Sequence, residues 1–470
     1  MVFSSLVFLF IFLPLIVLMY YISPKRYRNL TLLVGSLIFY GYGGVRFLIV
    51  VLLSIILNYC FGVLVHEYRL YKIKKRLVLI LAVVVNLVIL AYFKYFNFFV
   101  DNYNALFGES YVFSKVIMPI GISFFTFQAL SYVIDVYNGD KFQRKITDLA
   151  LYIVLFPQLI AGPIVRYRDV ASQINKRDEN INDFGEGVER FILGLGKKVL
   201  IANILGEVAN DTFEAESISV MLSWVGIIAY TFQIYYDFSG YSDMAIGLGK
   251  MFGFTFLENF SYPYISKSIT EFWRRWHISL GTWFRDYVYI PLGGSRHGAF
   301  RTGINLFIVW LFTGFWHGAS WTFVIWGLYF GFIIGIEKAF LMKVLNVMPN
   351  MLRIMYTMVI VIIGWVLFRS EDLDSMMNYL MDMFGASSNS LYNARDFFYI
   401  ANYRYEFILG FLFMTPLVRN TIIKLENSSI KAVSAFFSIV FTPLVLIVIL
   451  YMVVMTLTNT GFNPFIYFRF

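Results

Sequence analysis

Charged residues are scarce in this 470-residue chain. Asp, Glu, Lys and Arg make up 14% of it, whereas a soluble domain usually carries about a quarter. Hydrophobic residues make up 59%, and no long polar stretch separates one apolar region from the next. This composition excludes a string of soluble domains. It predicts an all-α polytopic membrane protein in which residues 1–470 form one integral-membrane domain.

Cysteine is almost absent as well. The only one, Cys60, lies in an apolar run, so an internal disulfide and a cysteine-based metal site are both excluded. The chain also lacks a Walker sequence, a Gly-x-Ser-x-Gly turn and the spacing of zinc ligands. We therefore predict that it binds no metal.

The formal net charge is +9, but the basic residues sit in short loops between apolar runs. This pattern is typical of cytoplasmic loops that follow the positive-inside rule, and it argues against nucleic-acid binding. The acidic segment 210–219 fits the opposite side. These assignments predict a multi-pass protein of the inner or plasma membrane, with both termini and an aromatic tail, residues 459–470, outside the cytoplasm.

Apolar stretches of about 20 residues, the length needed to cross a bilayer, recur along the chain. Three segments rich in Gly or Pro are predicted to be interrupted or re-entrant helices: the region of Pro119 and Gly121, the region 157–163, and the region 240–256. Irregular backbone is tolerated at membrane depth only where protein or water satisfies it. These interruptions therefore indicate a buried cavity.

Histidine is rare, with four in the whole chain. His66 and His297 lie in polar loops and are interpreted as solvated. His317 lies between two apolar runs, where an ionisable group is costly and a functional role is the default hypothesis. Histidine can act there as a general base on a hydroxyl. The alternative is a buried histidine that serves only packing.

The fourth histidine, His277, lies in a segment dense in aromatic and charged residues. One interpretation is an interfacial amphipathic helix with cationic anchors. The other is a cytoplasmic vestibule in which Arg274, Arg275 and Arg285 bind a phosphate-bearing donor. The residues alone leave both open. Interrupted helices would also suit a transporter, but no matching pair of broken segments appears in two halves of the chain.

Several segments carry a resemblance to a known family when they are read in chain order. They are Val2-Phe-Ser-Ser5, Phe8-Leu-Phe-Ile-Phe-Leu-Pro14, Pro119-Ile-Gly-Ile-Ser-Phe-Phe-Thr-Phe-Gln128, Phe156-Pro-Gln-Leu-Ile-Ala-Gly-Pro163, Tyr236-Asp-Phe-Ser-Gly-Tyr-Ser-Asp243, Phe272 to Arg296, and Phe315-Trp-His-Gly318. Together they resemble the membrane-bound O-acyltransferases, specifically the alginate O-acetyltransferase branch. That branch also contains membrane subunits that modify peptidoglycan and cellulose, and the D-alanine transferase of teichoic acid is a cousin.

The resemblance implies a ring of tilted helices with re-entrant segments around a central tunnel. It implies that His317 is the catalytic residue and that His277 is its partner in the site. It also implies acetyl-CoA as donor, an extracytoplasmic polysaccharide as acceptor, and an extracytoplasmic partner of the Ser-His-Asp (SGNH-like) esterase class. Which polysaccharide is modified stays open. The alternatives are D-alanyl transfer to teichoic acid, an acyl-group transporter without chemistry, and an assembly scaffold.

The tail Asn463-Pro-Phe-Ile-Tyr-Phe-Arg-Phe470 carries one hydroxyl, on Tyr467. An aromatic anchor at the membrane interface is one interpretation. The tail also resembles the tyrosine-bearing end of the small peptide that accompanies the D-alanine transferase. That resemblance suggests that Tyr467 folds back into the tunnel and carries the acetyl group, so we count it with His317 and His277 among the predicted catalytic residues.

Overall fold

The computed structural model describes residues 1–108, 111–160, 162–460, 462, 463 and 466. All regular secondary structure in these residues is helical. The α-helices up to residue 213 are α1 (Leu13–Ile22), α2 (Arg28–Gly41), α3 (Val45–Glu67), α4 (Lys72–Phe107), α5 (Ile122–Asn138), α6 (Ile146–Val154), α7 (Phe156–Leu159), α8 (Tyr167–Asn175), α9 (Ile181–Gly196) and α10 (Ile204–Phe213).

The later α-helices carry most of the residues discussed below. They are α11 (Val220–Met251), α12 (Ile269–Arg275), α13 (Ile278–Phe284), α14 (Gly298–His317), α15 (Trp321–Ile336), α16 (Met342–Val347), α17 (Asn350–Arg369), α18 (Leu373–Met383), α19 (Ala394–Asn402), α20 (Arg404–Phe413), α21 (Leu417–Glu426), α22 (Lys431–Ala435) and α23 (Thr442–Asn459). Short π-helical segments are Phe8–Phe12, Lys197–Asn203, Arg285–Tyr289, Glu337–Leu341 and Phe436–Phe441, and 3₁₀ turns are Lys25–Tyr27 and Pro263–Ile265.

The length and apolar character of these helices confirm the predicted membrane protein. Six helical runs of the described chain are long and apolar enough to cross a bilayer: α3, α4, α14, α17, Trp321–Val347 and Lys431–Asn459. The pair α20 and α21 is bent by 66° at a short break and would add a seventh span. An all-α, multi-pass architecture follows.

The chain divides into two compact units. The first comprises Met1–Phe191 and Met244–Leu257, and the second comprises Ile192–Asp243 and Glu258–Phe470. In the first unit, Asn58 of α3 and Asn86 of α4 exchange two side-chain hydrogen bonds of 3.0 and 2.9 Å. Such amide pairs stabilise the packing of apolar helices against each other.

Two of the three predicted interruptions are present. Helix α5 begins directly after Gly121, whose φ of +74° is accessible to glycine at little cost. A break at Leu155 separates α6 from α7, and Pro157 lies in the first turn of α7. The interruption predicted for 240–256 is wrong over residues 240–251, because α11 is continuous through Met251.

Glycines in this part of α11 allow close helix packing instead of a break. A Cβ added at Gly240 would lie 2.6 Å from the carbonyl oxygen of Gly194 on α9. A Cβ added at Gly247 would lie 2.5 Å from the carbonyl oxygen of Gly187, also on α9. Small residues at such contacts let two backbones approach closely, so the helix pair depends on glycine without bending at it.

Aromatic side chains dominate the core of the second unit. One connected group of buried residues includes Tyr236, Trp276, Trp326, Trp365 and Phe368, contributed by α11, α15, α17 and the turn after α12. The ring of Trp276 lies 4.8 Å from that of Trp365, centroid to centroid. The candidate site is built against this aromatic core.

Candidate active site

His317 is the last residue of α14 and is buried, with 4% of its surface exposed. Three aromatic rings meet it edge to face: Trp316 and Trp326 at 4.9 Å and Phe368 at 5.1 Å between centroids. The ring therefore sits in an apolar, water-poor environment, where electrostatic interactions are stronger than in water.

A close crossing of α14 and α15 sets the position of His317 relative to Trp326. A Cβ added at Gly327 would lie 2.4 Å from the carbonyl oxygen of Trp310, and one added at Gly314 would lie 2.5 Å from that of Phe323. Only glycine permits this approach without moving backbone. The two helices thus bring the end of α14 against the aromatic face of α15.

His277 joins α12 to α13 and is also buried, with 2% of its surface exposed. Its φ of 46° and ψ of 53° place it in the left-handed region, which few residues other than glycine adopt. Strained backbone of this kind costs on the order of 1–3 kcal/mol and persists where the surroundings hold it in place. The following residue is held as well, because the N–H of Ile278 donates to the carbonyl of Asn259 at 3.0 Å.

Asn259 defines the protonation of the His277 ring. The N–H of Ser279 points at Asn259 Oδ1 at 3.2 Å, and the amide nitrogen of Asn259 donates to Ser242 Oγ at 3.0 Å. An N–H can only donate, so the group facing Ser279 is the carboxamide oxygen.

His277 Nδ1 lies 3.1 Å from this same oxygen. Burial lowers the pKa of His277, which lies outside the candidate membrane spans, to about 3, so the ring is neutral near pH 7. A neutral ring that faces an acceptor through Nδ1 carries its proton on Nδ1. Its Nε2 is then the basic nitrogen.

The structure brings both predicted histidines together around one indole. The ring of Trp316 lies 5.8 Å from that of His277 and 4.9 Å from that of His317, between centroids. The ring of Phe238, from α11, covers His277 at 4.6 Å. Two imidazoles in an apolar, aromatic enclosure can accept and relay a proton during acyl transfer.

Glu337 holds the helix that leads to His277. It is fully buried inside the candidate span Trp321–Val347. Its carboxylate accepts hydrogen bonds from the N–H of Ile269 (2.7 Å), the N–H of Thr270 (2.8 Å), the hydroxyl of Thr270 (2.6 Å) and the hydroxyl of Tyr356 (3.2 Å). A carboxylate at a helix N-terminus satisfies backbone N–H groups and suits the helix dipole, so Glu337 fixes the start of α12.

The three predicted arginines lie outside this aromatic enclosure. Arg274 is exposed on α12. Arg275 pairs with Glu271 at 2.7 Å, and Arg285 pairs with the neighbouring Asp286 at 2.7 Å. Binding of a donor by these residues stays a prediction.

The aromatic tail reaches the core of the second unit. Ile466 is 7% exposed and belongs to the connected aromatic core. Its N–H donates to Asp237 Oδ2 at 2.9 Å. Tyr467 lies outside the described residues.

Sequence reasoning missed Asn259, Glu337 and Asp237 as parts of this arrangement. Glu337 carried a usable signal, since an acid within a long apolar helix is costly and marks a special position. Asn259 carried none, because it is 18 positions from His277 in an irregular segment. Asp237 lay in a quoted family segment without an assigned role.

Comparison with known proteins shows the family to which the sequence belongs. The sequence model of the membrane-bound O-acyltransferases (MBOAT) matches residues 37–371. The chain is 48% identical to a probable alginate O-acetylase AlgI of Azotobacter vinelandii over 389 residues, which cover 82% of this chain and 78% of that protein. It is 50% identical over 378 residues to the probable alginate O-acetylase AlgI of Pseudomonas syringae pv. tomato, with coverages of 79% and 73%.

A further relative is the peptidoglycan O-acetyltransferase of Helicobacter pylori, 36% identical over 428 residues, with coverages of 83% and 81%. Within the described residues, no group of three or more His, Cys, Asp or Glu is placed to hold a metal ion. The predicted resemblance and the predicted O-acyltransferase activity are confirmed, and the chain belongs to the membrane-bound O-acyltransferase family.

Proposed function

We propose that this protein is a membrane O-acetyltransferase that passes acetyl groups from cytoplasmic acetyl-CoA toward an extracytoplasmic polysaccharide. The observation that carries the proposal is the pair of buried histidines that both contact Trp316. The relatives named as alginate and peptidoglycan O-acetylating proteins support acetyl as the group and a glycan as the final acceptor.

In the proposed reaction, His317 is the general base. It takes the proton of an acceptor hydroxyl as the oxygen attacks the carbonyl carbon of the acetyl thioester. The new C–O bond forms, the C–S bond breaks, and the proton passes to the departing thiolate. General-base assistance of this kind typically contributes about 10²–10⁴-fold. His277, with its basic Nε2, orients the acceptor or His317.

The donor enters from the cytoplasm in this proposal, and Arg274, Arg275 and Arg285 lie on its path. CoA carries several phosphate charges, which suit the planar guanidinium group. Replacing all three with Ala should weaken donor binding, and the defect should depend on salt. Unchanged donor affinity would reduce these arginines to anchors at the membrane surface.

The first acceptor in this proposal is Tyr467. The burial of Ile466, the neighbouring residue in the chain, within the aromatic core supports this choice. An acetyl ester of a phenol is more activated than an alkyl ester, so onward transfer is not strongly uphill. The next acceptor is an extracytoplasmic partner of the Ser-His-Asp esterase class, with the polysaccharide last. Both chain termini lie outside the cytoplasm in this scheme.

The deciding experiment is turnover of radiolabelled acetyl-CoA by purified protein in detergent or liposomes. His317→Ala should abolish transfer while the protein still inserts and folds. His297→Ala is the matched control, because His297 precedes the opposite end of the same helix and is exposed. Wild-type turnover by His317→Ala would overturn the assignment.

Two further measurements separate the alternatives. Tyr467→Phe keeps the ring and deletes the hydroxyl, so it should lose both polymer acetylation and an acetyl-tyrosine adduct in mass spectrometry. If this variant acetylates normally, the tail is an interfacial anchor. Labelling with D-alanyl carrier protein and not with acetyl-CoA would favour teichoic-acid modification, and passage of intact acyl donor without thiol release would favour a transporter.

A further inference from the structure

A buried ion pair lies close to the histidine site. Lys198, on the π-helical segment Lys197–Asn203, is 2% exposed, and Asp237 of α11 is 1% exposed. Lys198 Nζ lies 2.7 Å from Asp237 Oδ1. Burying two charges costs several kcal/mol per ion unless additional hydrogen bonds compensate, so such a pair calls for a reason beyond helix packing.

The pair is part of a network that holds the tail at two points. Asp237 Oδ2 accepts the N–H of Ile466 at 2.9 Å. Lys198 also donates to Asn203 Oδ1 at 2.7 Å. Asn203 Nδ2 in turn lies 3.3 Å from Asn463 Oδ1, and 3.4 Å from the carbonyl of the preceding residue.

We propose that Lys198, Asp237 and Asn203 form a socket that holds the tail at Asn463 and Ile466 and sets its register next to the candidate site. This rests on the proposed role of Tyr467. Asp237 of the socket accepts the backbone N–H of Ile466. This contact fixes the position of the backbone at residue 466 whichever side chain the residue carries. The location of the socket suits this task, because Asp237 is followed by Phe238, whose ring lies 4.6 Å from that of His277.

The neighbouring residues provide a matched control. Lys197 and Asp243 form a second ion pair between the same two helical segments, at 2.6 Å, with 32% and 17% of their side chains exposed. The hydrogen bonds described above at Asn463 and Ile466 are made by Asn203 and Asp237. If ion pairs here serve only to join the segments, removal of either pair should have the same effect on the tail.

The test measures exposure of the tail and not activity. Ile466→Cys in a Cys60→Ser background places one thiol at a position that is buried in the native chain. A membrane-impermeant maleimide then reports how often the tail leaves the core of purified protein. Lys198→Met with Asp237→Leu replaces the buried pair by apolar side chains of similar size, a change that buried pairs often tolerate.

We expect this double variant to label about 10–100-fold faster than the parent, as the loss of one hydrogen bond to a charged group predicts. Lys197→Met with Asp243→Leu should label at the parent rate. Asn203→Leu keeps the ion pair and removes the contact at Asn463, so it should label at an intermediate rate. This variant replaces the double variant in the test if the double variant does not fold. Equal labelling of the parent, the Lys198–Asp237 variant and Asn203→Leu would overturn the socket.

The same background separates this inference from the proposed function. Tyr467→Phe should leave the introduced thiol protected, because the hydrogen bonds of the socket are made to Asn463 and to the backbone of Ile466. If that variant acetylates normally while the Lys198–Asp237 variant still exposes the thiol, the acyl-carrier role fails and the socket stands. If Tyr467→Phe loses the adduct while the socket variants keep the thiol protected, the carrier role stands and the socket fails.

Discussion

The sharpest prediction concerns Asn259, a residue that would touch no substrate. Asn259→Leu keeps the size of the side chain and removes its hydrogen bonds. Those bonds join it to His277 Nδ1 at 3.1 Å, to the N–H and hydroxyl of Ser279 at 3.2 and 2.9 Å, and to the hydroxyl of Ser242 at 3.0 Å. The histidine then lacks the acceptor that keeps its proton on Nδ1.

Two magnitudes follow. A buried hydrogen bond contributes about 0.5–1.5 kcal/mol, so the loss of four should lower the free energy of unfolding by about 2–6 kcal/mol. Loss of the group that sets the tautomer of a catalytic histidine costs about 10⁴-fold in the serine protease triad. His277 is a partner and not the proposed base, so we expect turnover of acetyl-CoA to fall by about 10²–10⁴-fold per folded molecule.

Asn259→Asp is the informative counterpart. Its carboxylate still accepts from Nδ1, so the tautomer is kept and turnover near pH 7 should stay within about 10-fold of the parent. The new negative charge favours the imidazolium and raises the pKa of His277 from its value of about 3. The acidic limb of the pH–rate profile should therefore move to higher pH.

The assay is single-turnover acetyl transfer across pH 4–9, normalised to the folded fraction measured by thermal unfolding in detergent. If Asn259→Leu is destabilised but transfers at the parent rate per folded molecule, Asn259 serves structure alone. If Asn259→Asp shows an unshifted pH profile, the deduced protonation of His277 does not bear on the reaction, and the reasoning is refuted.

Three further outcomes test the packing and electrostatics. Gly327→Ala should lower thermal stability and turnover, because its Cβ would lie 2.4 Å from a backbone oxygen of α14. Gly335→Ala on the same helix should change neither, because a Cβ there meets nothing within 4 Å. Glu337→Gln should lower the free energy of unfolding by about 2–4 kcal/mol, because charge-assisted hydrogen bonds at the start of α12 are lost. Turnover per folded molecule should fall as well. Unchanged turnover would mean that the position of α12 does not affect the site. Burial lowers the pKa of His277 from 6.5 to about 3, so between these pH values the unfolded chain binds a proton and the native chain does not. The free energy of unfolding should therefore fall as the pH drops from about 6.5 to about 3. Chemical unfolding at each pH should show a less steep fall in His277→Gln.

Some of the site could be read from single positions. His317 stood out because an imidazole between two apolar runs is costly, and His277 stood out through its resemblance to a family segment. The structure places both against Trp316. Glu337 obeys the same physical rule as His317 and could have been identified in the same way.

Other features depended on the structural role of individual glycines, which the amino-acid sequence alone does not decide. Gly121 does mark the start of a helix after an irregular segment, with a positive φ. Gly240 and Gly247 lie within the continuous α11, because their role is to admit the backbone of α9. A missing side chain permits either a turn or a close contact, and only the neighbouring helix decides between them.

The sequence by itself was enough to predict that the chain lies in a lipid bilayer, that its fold is all-α and that it is an O-acyltransferase. Low charge and long apolar runs require lipid, and a histidine inside such a run indicates function. Only the tertiary structure decided which distant groups meet at the candidate site and at the tail. Asn259 reaches His277 across 18 positions, and Asp237 reaches Ile466 across 229. Hydrogen bonds of about 3 Å depend on how separate segments pack, and no local spacing encodes that packing.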